Sequence, residues 1–226
     1  MSILPNVLYR EADYWVVNKP AGMSFHAEGQ EIGFMQWMHE QYPDQTFYPV
    51  HRLDKITSGL ILLAKNKQAA QKFGLMFEQH LVTKFYLAIS AKKPKKKQGS
   101  IKGGMQQGRR GSWMLNQTSE NLAHTQFFST PIKPGLRLFL LKPKTGKTHQ
   151  LRVALKSLGA PILGDVRYGG EECDRGYLHA FQLSFEWLGE AKIYQFIPDF
   201  GEVFNMIEPV MQEAGFSTPN ELVWPK

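Results

Sequence analysis

The sequence predicts an α+β fold in one globular domain, with a large mixed and mostly antiparallel sheet flanked by helices and loops. The chain has 226 residues, of which 42% are hydrophobic, so it can bury a sizeable core. Strand-like and helix-like patterns are interspersed without the regular alternation of a doubly wound sheet. No repeat or linker divides the chain. We therefore expect a single domain over residues 1–226.

The first 80 residues begin with a predicted β-hairpin, in which residues 7–10 and 14–18 flank a short turn. Residues 60–64 form an unbroken apolar run, which favours a strand buried on both faces. We interpret residues 57–59 as the turn that leads into this strand. Asn66 is a suitable N-cap for a helix that continues to about Gln79.

Further along the chain, residues 82–90, 135–141 and 176–185 have the composition of strands. Thr148 is the predicted N-cap of a helix that carries Arg152 and ends at Gly159. A C-terminal helical segment is expected over about residues 202–226, with Pro209 bending it or starting a new turn.

The formal net charge of +7 points to a polyanionic partner. Residues 92–111 contain eight Lys or Arg residues, several glycines and no acidic residue, and we interpret this segment as a flexible basic loop that contacts phosphates. A solvated loop without a partner is the alternative. The candidate RNA contacts in the loop are Lys95, Lys96, Arg109 and Arg110.

The remaining composition argues against several other classes. One cysteine excludes an internal disulfide framework, and the seven histidines have no metal-ligand spacing, so we expect neither a metal nor a cofactor. No apolar run is long enough to span a membrane and no signal peptide is evident. We expect a cytoplasmic monomer without an obligate protein partner.

Asp54 is the main candidate for chemistry, because it lies among cations and small residues directly before the apolar run at residues 60–64. A carboxylate in a loop at the mouth of a buried strand is suited to nucleophilic catalysis. A surface ion pair with a neighbouring Arg or Lys is the alternative on this segment alone.

Several motifs in order resemble the RluA-type pseudouridine synthases, over about residues 7–187. They are Val17-Asn18-Lys19-Pro20-Ala21-Gly22-Met23, His51-Arg52-Leu53-Asp54 with Thr57-Ser58-Gly59, Lys84-Phe85-Tyr86, Gly146-Lys147-Thr148-His149-Gln150-Leu151-Arg152, Gly164-Asp165 with Tyr168-Gly169, and Leu178-His179-Ala180. The resemblance implies a catalytic domain that isomerises uridine to pseudouridine in ribosomal or transfer RNA.

The resemblance also implies roles for individual residues. Asp54 corresponds to the family's nucleophile, Arg152 to its electrostatic partner and Tyr86 to the tyrosine that stacks on the target base. Arg52 corresponds to the arginine that fills the gap left by the flipped nucleotide. The further candidate substrate or RNA contacts are His51, Thr57, Ser58, Lys147, His149, Gln150 and Leu178.

Two features depart from the family pattern. Lys147 replaces the usual arginine, and Ala154 replaces a frequent histidine. Because the first predicted strand begins close to the N-terminus, we expect no separate N-terminal RNA-binding domain. A non-catalytic RNA-binding protein and a base-removing RNA glycosidase are the alternative functions.

Overall fold

The computed structural model describes residues 4–118 and 120–226, except for the side chain of Arg110. Within it the chain groups into two compact units. The first unit contains residues up to Thr83 together with His179–Ile197, and the second contains Lys84–Leu178 and Pro198–Lys226. Each unit contains both strands and helices, which confirms the α+β class. That residues 1–226 act as one catalytic domain stays a prediction.

The sheet of the first unit has the strand order β1-β2-β4-β10, with β3 paired to β4 and β11 paired to β10. The predicted N-terminal hairpin is confirmed, because β1 and β2 pair antiparallel. β2 and β4 also pair antiparallel, and every residue of both strands is buried. The strands are β1 (Asn6–Arg10), β2 (Tyr14–Lys19), β3 (Tyr48–Pro49), β4 (Thr57–Ala64), β10 (Leu178–Trp187) and β11 (Glu190–Gln195).

Two helices accompany these strands. The predicted helix is confirmed as α2 (Lys67–Glu78), and its N-cap Asn66 accepts a hydrogen bond from the Ala69 N–H at 2.8 Å. Helix α1 (Phe34–Gln41) was not predicted. Its N-cap is Gly33, which has no side chain to accept a hydrogen bond, so the sequence carries no capping signal there.

The prediction of a turn at residues 57–59 is wrong, because β4 already begins at Thr57. Gly59 pairs with Lys19 inside the sheet and has a φ of +105°. A Cβ on Gly59 would lie 2.7 Å from the Ala180 nitrogen and even closer to the Ala180 oxygen. The glycine therefore serves the close approach of β10 rather than a turn.

The sheet of the second unit has the order β5-β9-β8-β6-β7. All four pairings between these neighbours are antiparallel. The strands expected near residues 82–90 and 135–141 are confirmed as β5 and β9. The elements are β5 (Thr83–Ser90), β6 (Gln98–Gln107), β7 (Trp113–Asn116), β8 (Leu122–Lys133), β9 (Leu136–Pro143), α3 (Gln150–Ser157) and α4 (Ile207–Glu213).

The prediction of a flexible basic loop over residues 92–111 is wrong for most of its length, because residues 98–107 form β6 and pair with β7 and β8. The glycines that suggested a loop allow close backbone contacts instead. A Cβ on Gly103 would lie 2.8 Å from the Asn116 oxygen, and one on Gly104 would lie 2.7 Å from the Glu120 oxygen. Met105 then packs into a small core of this unit.

The helix predicted from Thr148 begins later than expected. Its first residue is Gln150, and the N-cap is His149, whose φ of +56° places it in the left-handed region. Thr148 as N-cap is therefore wrong. Gly159, with a φ of +74°, follows the helix as predicted.

The C-terminal segment is helical over a shorter stretch than expected. A 3₁₀ turn at Phe204–Met206 leads into α4, and Pro209 lies in its first turn, where the backbone needs no intrahelical donor. The helix ends before Gly215, whose φ is +70°. Trp224 then packs against the Phe85 ring with a centroid distance of 5.5 Å. None of the helices in the described ranges is long and apolar enough to cross a membrane.

Candidate active site

Asp54 lies in the first unit, in the loop that immediately precedes β4. The side chain of Leu53 is buried, and Asp54 itself is half-buried. The Asp54 carbonyl accepts a hydrogen bond from the Thr57 N–H at 3.0 Å, which closes the loop onto the first residue of the strand. A carboxylate at this position has a defined backbone and partial access to solvent.

A fully buried lysine supports this loop from the end of β2. The Lys19 ammonium donates to the carbonyls of Pro20 at 2.8 Å, Met23 at 2.7 Å and Lys55 at 3.5 Å. The Gly22 N–H donates to the same Lys55 carbonyl at 2.8 Å. A buried ammonium needs such acceptors, because its desolvation is otherwise costly. Lys19 therefore fixes the residue that follows Asp54.

Lys19 belongs to one of the ordered motifs, but the resemblance implied no role for it. A signal was available in the sequence, because Lys19 ends a predicted strand with apolar neighbours and directly precedes Pro20. A lysine in that context is rarely buried without acceptors. Lys19 was therefore predictable as a structural cation, although its partners were not.

Ser58 and His179 form a buried hydrogen-bonded pair inside the first unit. The Ser58 Oγ lies 2.7 Å from the His179 Nδ1, and the His179 Nε2 lies 2.8 Å from the Phe196 carbonyl oxygen. A carbonyl only accepts, so Nε2 donates to Phe196 and Nδ1 accepts from the Ser58 hydroxyl. The Ser58 side chain is thus engaged inside the protein, and Thr57 is buried as well. That either residue contacts RNA stays a prediction.

His51 and Arg52 differ in their surroundings. The His51 Nε2 accepts a hydrogen bond from the Leu62 N–H at 2.9 Å, and its ring lies 4.8 Å from that of Phe77. His51 therefore attaches its loop to β4. Arg52 is exposed, and its contact with RNA stays a prediction.

Tyr86 lies in the second unit on β5, where it pairs with Leu141 of β9 and is 9% exposed. The preceding residue, Phe85, points to the other face of the sheet and packs on Trp224. Leu178 is buried in the same unit. Both predicted pocket residues are consequently set in regular, packed structure.

Arg152 on α3 forms a buried ion pair with Asp165. The Arg152 Nε donates to Asp165 Oδ2 at 2.7 Å and the Arg152 Nη2 donates to Asp165 Oδ1 at 2.7 Å. The two side chains are 6% and 1% exposed. The centroid of the Tyr168 ring lies 4.7 Å from the guanidinium carbon. Asp165 therefore contacts the edge of the guanidinium, and Tyr168 packs on its face.

The Tyr168 hydroxyl connects three elements of the second unit. It lies 2.7 Å from the His149 Nδ1 and accepts a hydrogen bond from the Trp113 N–H at 2.9 Å. The hydroxyl thus links Trp113 to the His149 ring, and the tautomer of the imidazole decides which atom donates in the contact with His149. Asp165 and Tyr168 were not predicted as site residues, although both belong to one of the ordered motifs.

Gln150 has its amide groups engaged by the protein. Its carbonyl oxygen accepts from the Thr145 hydroxyl at 2.7 Å and from the Lys147 N–H at 2.9 Å. Its NH₂ group donates to the His124 carbonyl at 3.0 Å and the Thr125 hydroxyl at 2.9 Å. Gln150 thus organises the loop that presents the half-buried side chain of Lys147.

The predicted basic contacts are exposed in the second unit. Lys95 and Lys96 precede β6, and Arg109 lies in a 3₁₀ turn between β6 and β7. The side chain of Arg110 lies outside the described residues. Within the described part of the chain, no three His, Cys, Asp or Glu side chains gather as metal ligands. That the protein needs no cofactor stays a prediction.

The sequence and the fold can be compared with known proteins. The family model described as RNA pseudouridylate synthase matches residues 13–157. An uncharacterized RNA pseudouridine synthase of Haemophilus influenzae is 47% identical over 209 residues, covering 92% of each chain. The solved structure of human RNA Pseudouridylate Synthase Domain Containing 1 superposes with a TM-score of 0.75 at 27% identity, covering 88% of this chain and 86% of that one.

More distant relatives carry names that specify an RNA. tRNA pseudouridine synthase C of Haemophilus ducreyi is 34% identical over 207 residues, covering 80% of this chain and 84% of that protein. Ribosomal large subunit pseudouridine synthase C of Rickettsia bellii is 34% identical over 175 residues, which cover 74% of this chain. The match spans only 57% of the length of the Rickettsia protein.

The chain therefore belongs to the RNA pseudouridylate synthase family. Enzymes of this family are isomerases that convert uridine to pseudouridine in RNA. The resemblance inferred from the ordered motifs is confirmed, and neither the RNA-binding protein nor the glycosidase is favoured as an alternative.

Proposed function

We propose that this protein isomerises specific uridines in structured ribosomal or transfer RNA, with Asp54 as the nucleophile. The observation that carries the proposal is the half-buried Asp54 in a loop whose Lys55 carbonyl accepts a hydrogen bond from the Gly22 N–H at 2.8 Å and a longer one from the fully buried Lys19 at 3.5 Å. A nucleophile must be held within a narrow range of positions, and this loop meets that requirement.

In the proposed reaction the Asp54 carboxylate assists rupture of the bond between the ribose C1′ and the uracil N1. The released uracil rotates, a bond forms between C1′ and C5, the proton on C5 leaves to solvent, and N1, which has lost its bond to C1′, takes up a proton. Substrate and product are isomers, so no oxidant or reductant is needed. We assign Arg152 as the electrostatic partner of Asp54 in this step.

The remaining roles follow from the same proposal. Tyr86 stacks on the flipped base or removes the C5 proton, and the exposed Arg52 fills the space that the nucleotide leaves. Lys147 and His149 contact phosphates. Relatives named for transfer RNA and for the large ribosomal subunit support both RNA classes as targets. We further propose that the enzyme acts as a cytoplasmic monomer.

The test uses RNA transcripts labelled with tritium at the uridine C5, incubated with the native protein, Asp54→Ala and Asp54→Asn. We expect tritium release from the native protein and none from either variant. Asp44→Asn is the matched control, because Asp44 is an exposed carboxylate of the same unit outside the proposed site. It should release tritium at the native rate.

Other outcomes would replace the proposal. Free uracil without tritium release would support the glycosidase, and RNA binding without either product would support a non-catalytic binding protein. Pseudouridine positions that disappear from ribosomal or transfer RNA in cells carrying Asp54→Ala would identify the target. If no position disappears from either class, the proposed substrates are wrong.

A further inference from the structure

A cleft of about 390 Å³ opens at one end of the sheet in the second unit. It lies where β5 has ended, β8 ends and β9 begins. Its volume is in the range of small-molecule and ligand sites, roughly 300–1,000 Å³. Neither Asp54 nor any residue assigned to the chemistry lines this cleft.

The charged side chains that line the cleft are all cationic. Lys92 and Lys93 come from the segment after β5, Lys133 from the end of β8 and Arg137 from β9. None of the described residues lining the cleft is acidic. Like charges held near one another repel, so an anion bound among them would be stabilised. The fold therefore brings together two cationic segments that are about 40 residues apart.

Arg137 has donor capacity in addition to its contacts with the protein. Its Nη2 donates to the Ser129 carbonyl at 3.2 Å and to the Ser129 hydroxyl at 3.3 Å, which are long for a guanidinium. Its Nε is buried and has no hydrogen-bond partner among the described residues. A planar guanidinium is well matched to the oxygens of a phosphate.

The rest of the lining is mainly apolar and includes Ala91, Pro131, Pro134 and Leu136. Such a surface packs against a sugar or a base while cations at its margin hold the phosphates. The positive charge also continues beyond the cleft. The exposed Lys95, Lys96 and Lys97 follow along the chain, and the Lys97 carbonyl accepts a hydrogen bond from the Ser129 hydroxyl at 2.8 Å.

The position of the cleft along the sheet sets its distance from Tyr86. Ser90 pairs with Arg137, and Tyr86 lies four residues before Ser90 on the same strand. At ~3.4 Å per residue this separation is about 14 Å. A nucleic-acid strand advances ~3.4 Å per stacked nucleotide, so about four nucleotides span the distance.

We propose that this cleft binds phosphodiester groups of the RNA substrate about four nucleotides from the target uridine. The contact is to the backbone, so it contributes affinity without reading sequence. The inference rests on the proposed function in taking RNA as the ligand, but it concerns binding at a separate set of residues. It extends the RNA contacts of the enzyme beyond the nucleotide that is modified.

The test compares two double variants with the same loss of charge. Lys93→Gln with Lys133→Gln removes two exposed cations of the cleft, and Lys67→Gln with Lys226→Gln removes two exposed cations elsewhere. Each is titrated either with a fluorescent oligouridine dodecamer or with uridine, which has no phosphate, at several salt concentrations. An unfolding midpoint in urea equal to that of the native protein shows that each variant is folded.

For the dodecamer we expect the cleft variant to bind more weakly. Its negative slope of log K against log salt should become less steep by about 1.4, since each lost phosphate contact changes the slope by ~0.7. Uridine, which carries no phosphate, should bind both variants equally. In the tritium assay the cleft variant should raise KM and leave kcat unchanged. Lys93→Arg with Lys133→Arg should restore binding.

Equal effects of the two double variants on the dodecamer would overturn the proposal, because the charge of the whole protein would then explain the loss. A lower kcat at unchanged KM would overturn it as well. Binding is measured without turnover, so failure of the proposed chemistry would appear as absent tritium release with the binding difference intact.

Discussion

Replacing Asp165 by Asn tests the buried ion pair that holds Arg152. The substitution keeps the size of the side chain and one acceptor oxygen, but it removes the carboxylate charge that pairs with the guanidinium of Arg152. Both partners are almost fully buried, and both hydrogen bonds are 2.7 Å long. Removing one member of a buried pair costs ~3–5 kcal/mol, and the retained acceptor places Asn at about 3 kcal/mol.

This loss should be readily measurable. Each kcal/mol lowers Tm by ~2–4 °C in a protein of this size, so Asp165→Asn should unfold about 6–12 °C below the native protein. Urea unfolding followed by tryptophan fluorescence gives the free energy of unfolding directly. Glu172→Gln is the control, because Glu172 is exposed in the same unit and should change stability by less than ~0.5 kcal/mol.

A second substitution separates stability from chemistry. In Asp165→Asn with Arg152→Met both charges of the buried pair are removed together, so most of the stability lost in Asp165→Asn should return. Tritium release should stay absent, because Arg152 is proposed to act in the reaction. A stability loss below ~1 kcal/mol for Asp165→Asn would refute the buried pair as the support of Arg152. Recovery of activity in the double variant would refute the role of Arg152.

Three further predictions concern other parts of the fold. Gly59→Ala should lower the free energy of unfolding in urea by ~2–4 kcal/mol, from backbone strain of ~1–3 kcal/mol plus the clash with Ala180. Gly74→Ala is the control, because Gly74 has open space in α2, and it should raise the free energy of unfolding by about 0.5–1 kcal/mol. Tyr168→Phe keeps the ring beside Arg152 but removes two hydrogen bonds; a loss of ~1–3 kcal/mol in unfolding free energy is expected, and none would show that the hydroxyl does not join its elements. Burial, and then the charges of two nearby lysines, lower the pKa of His124. The unfolded chain therefore binds the proton more tightly, and the free energy of unfolding should fall as the pH drops below about 6.5. This part of the pH dependence should vanish in His124→Gln when unfolding is measured from pH 7 to 5.

Local signals predicted the elements whose formation depends on their own sequence. The Asn66 cap marks α2, because its side-chain oxygen accepts from Ala69 in the structure as the pattern requires. The apolar run at residues 60–64 indicated a strand buried on both faces, and β4 is buried throughout. Both signals lie within a single turn or strand, so no tertiary information was needed.

Elements that depend on distant partners were not predictable in the same way. The glycines of β6 suggested flexibility, yet Gly103 is required by the backbone oxygen of Asn116, more than ten residues away. The first turn of α3 begins at Gln150 because its amide is fixed by Thr145 and the backbone near His124. A sequence pattern does not reveal such contacts before the strands are paired.

The site residues likewise divide into what local sequence predicts and what distant contacts decide. The motifs identified Arg152 as an electrostatic partner, but a motif gives the residue type and not the contacts that position the side chain. The structure adds Asp165 at one edge of the guanidinium and Tyr168 across its face. Because Asp165 compensates the charge of Arg152, the pair as a whole is neutral. The plane of the Arg152 guanidinium is therefore fixed before the substrate arrives. A preorganised donor of this kind can serve a second acceptor with little rearrangement during the reaction.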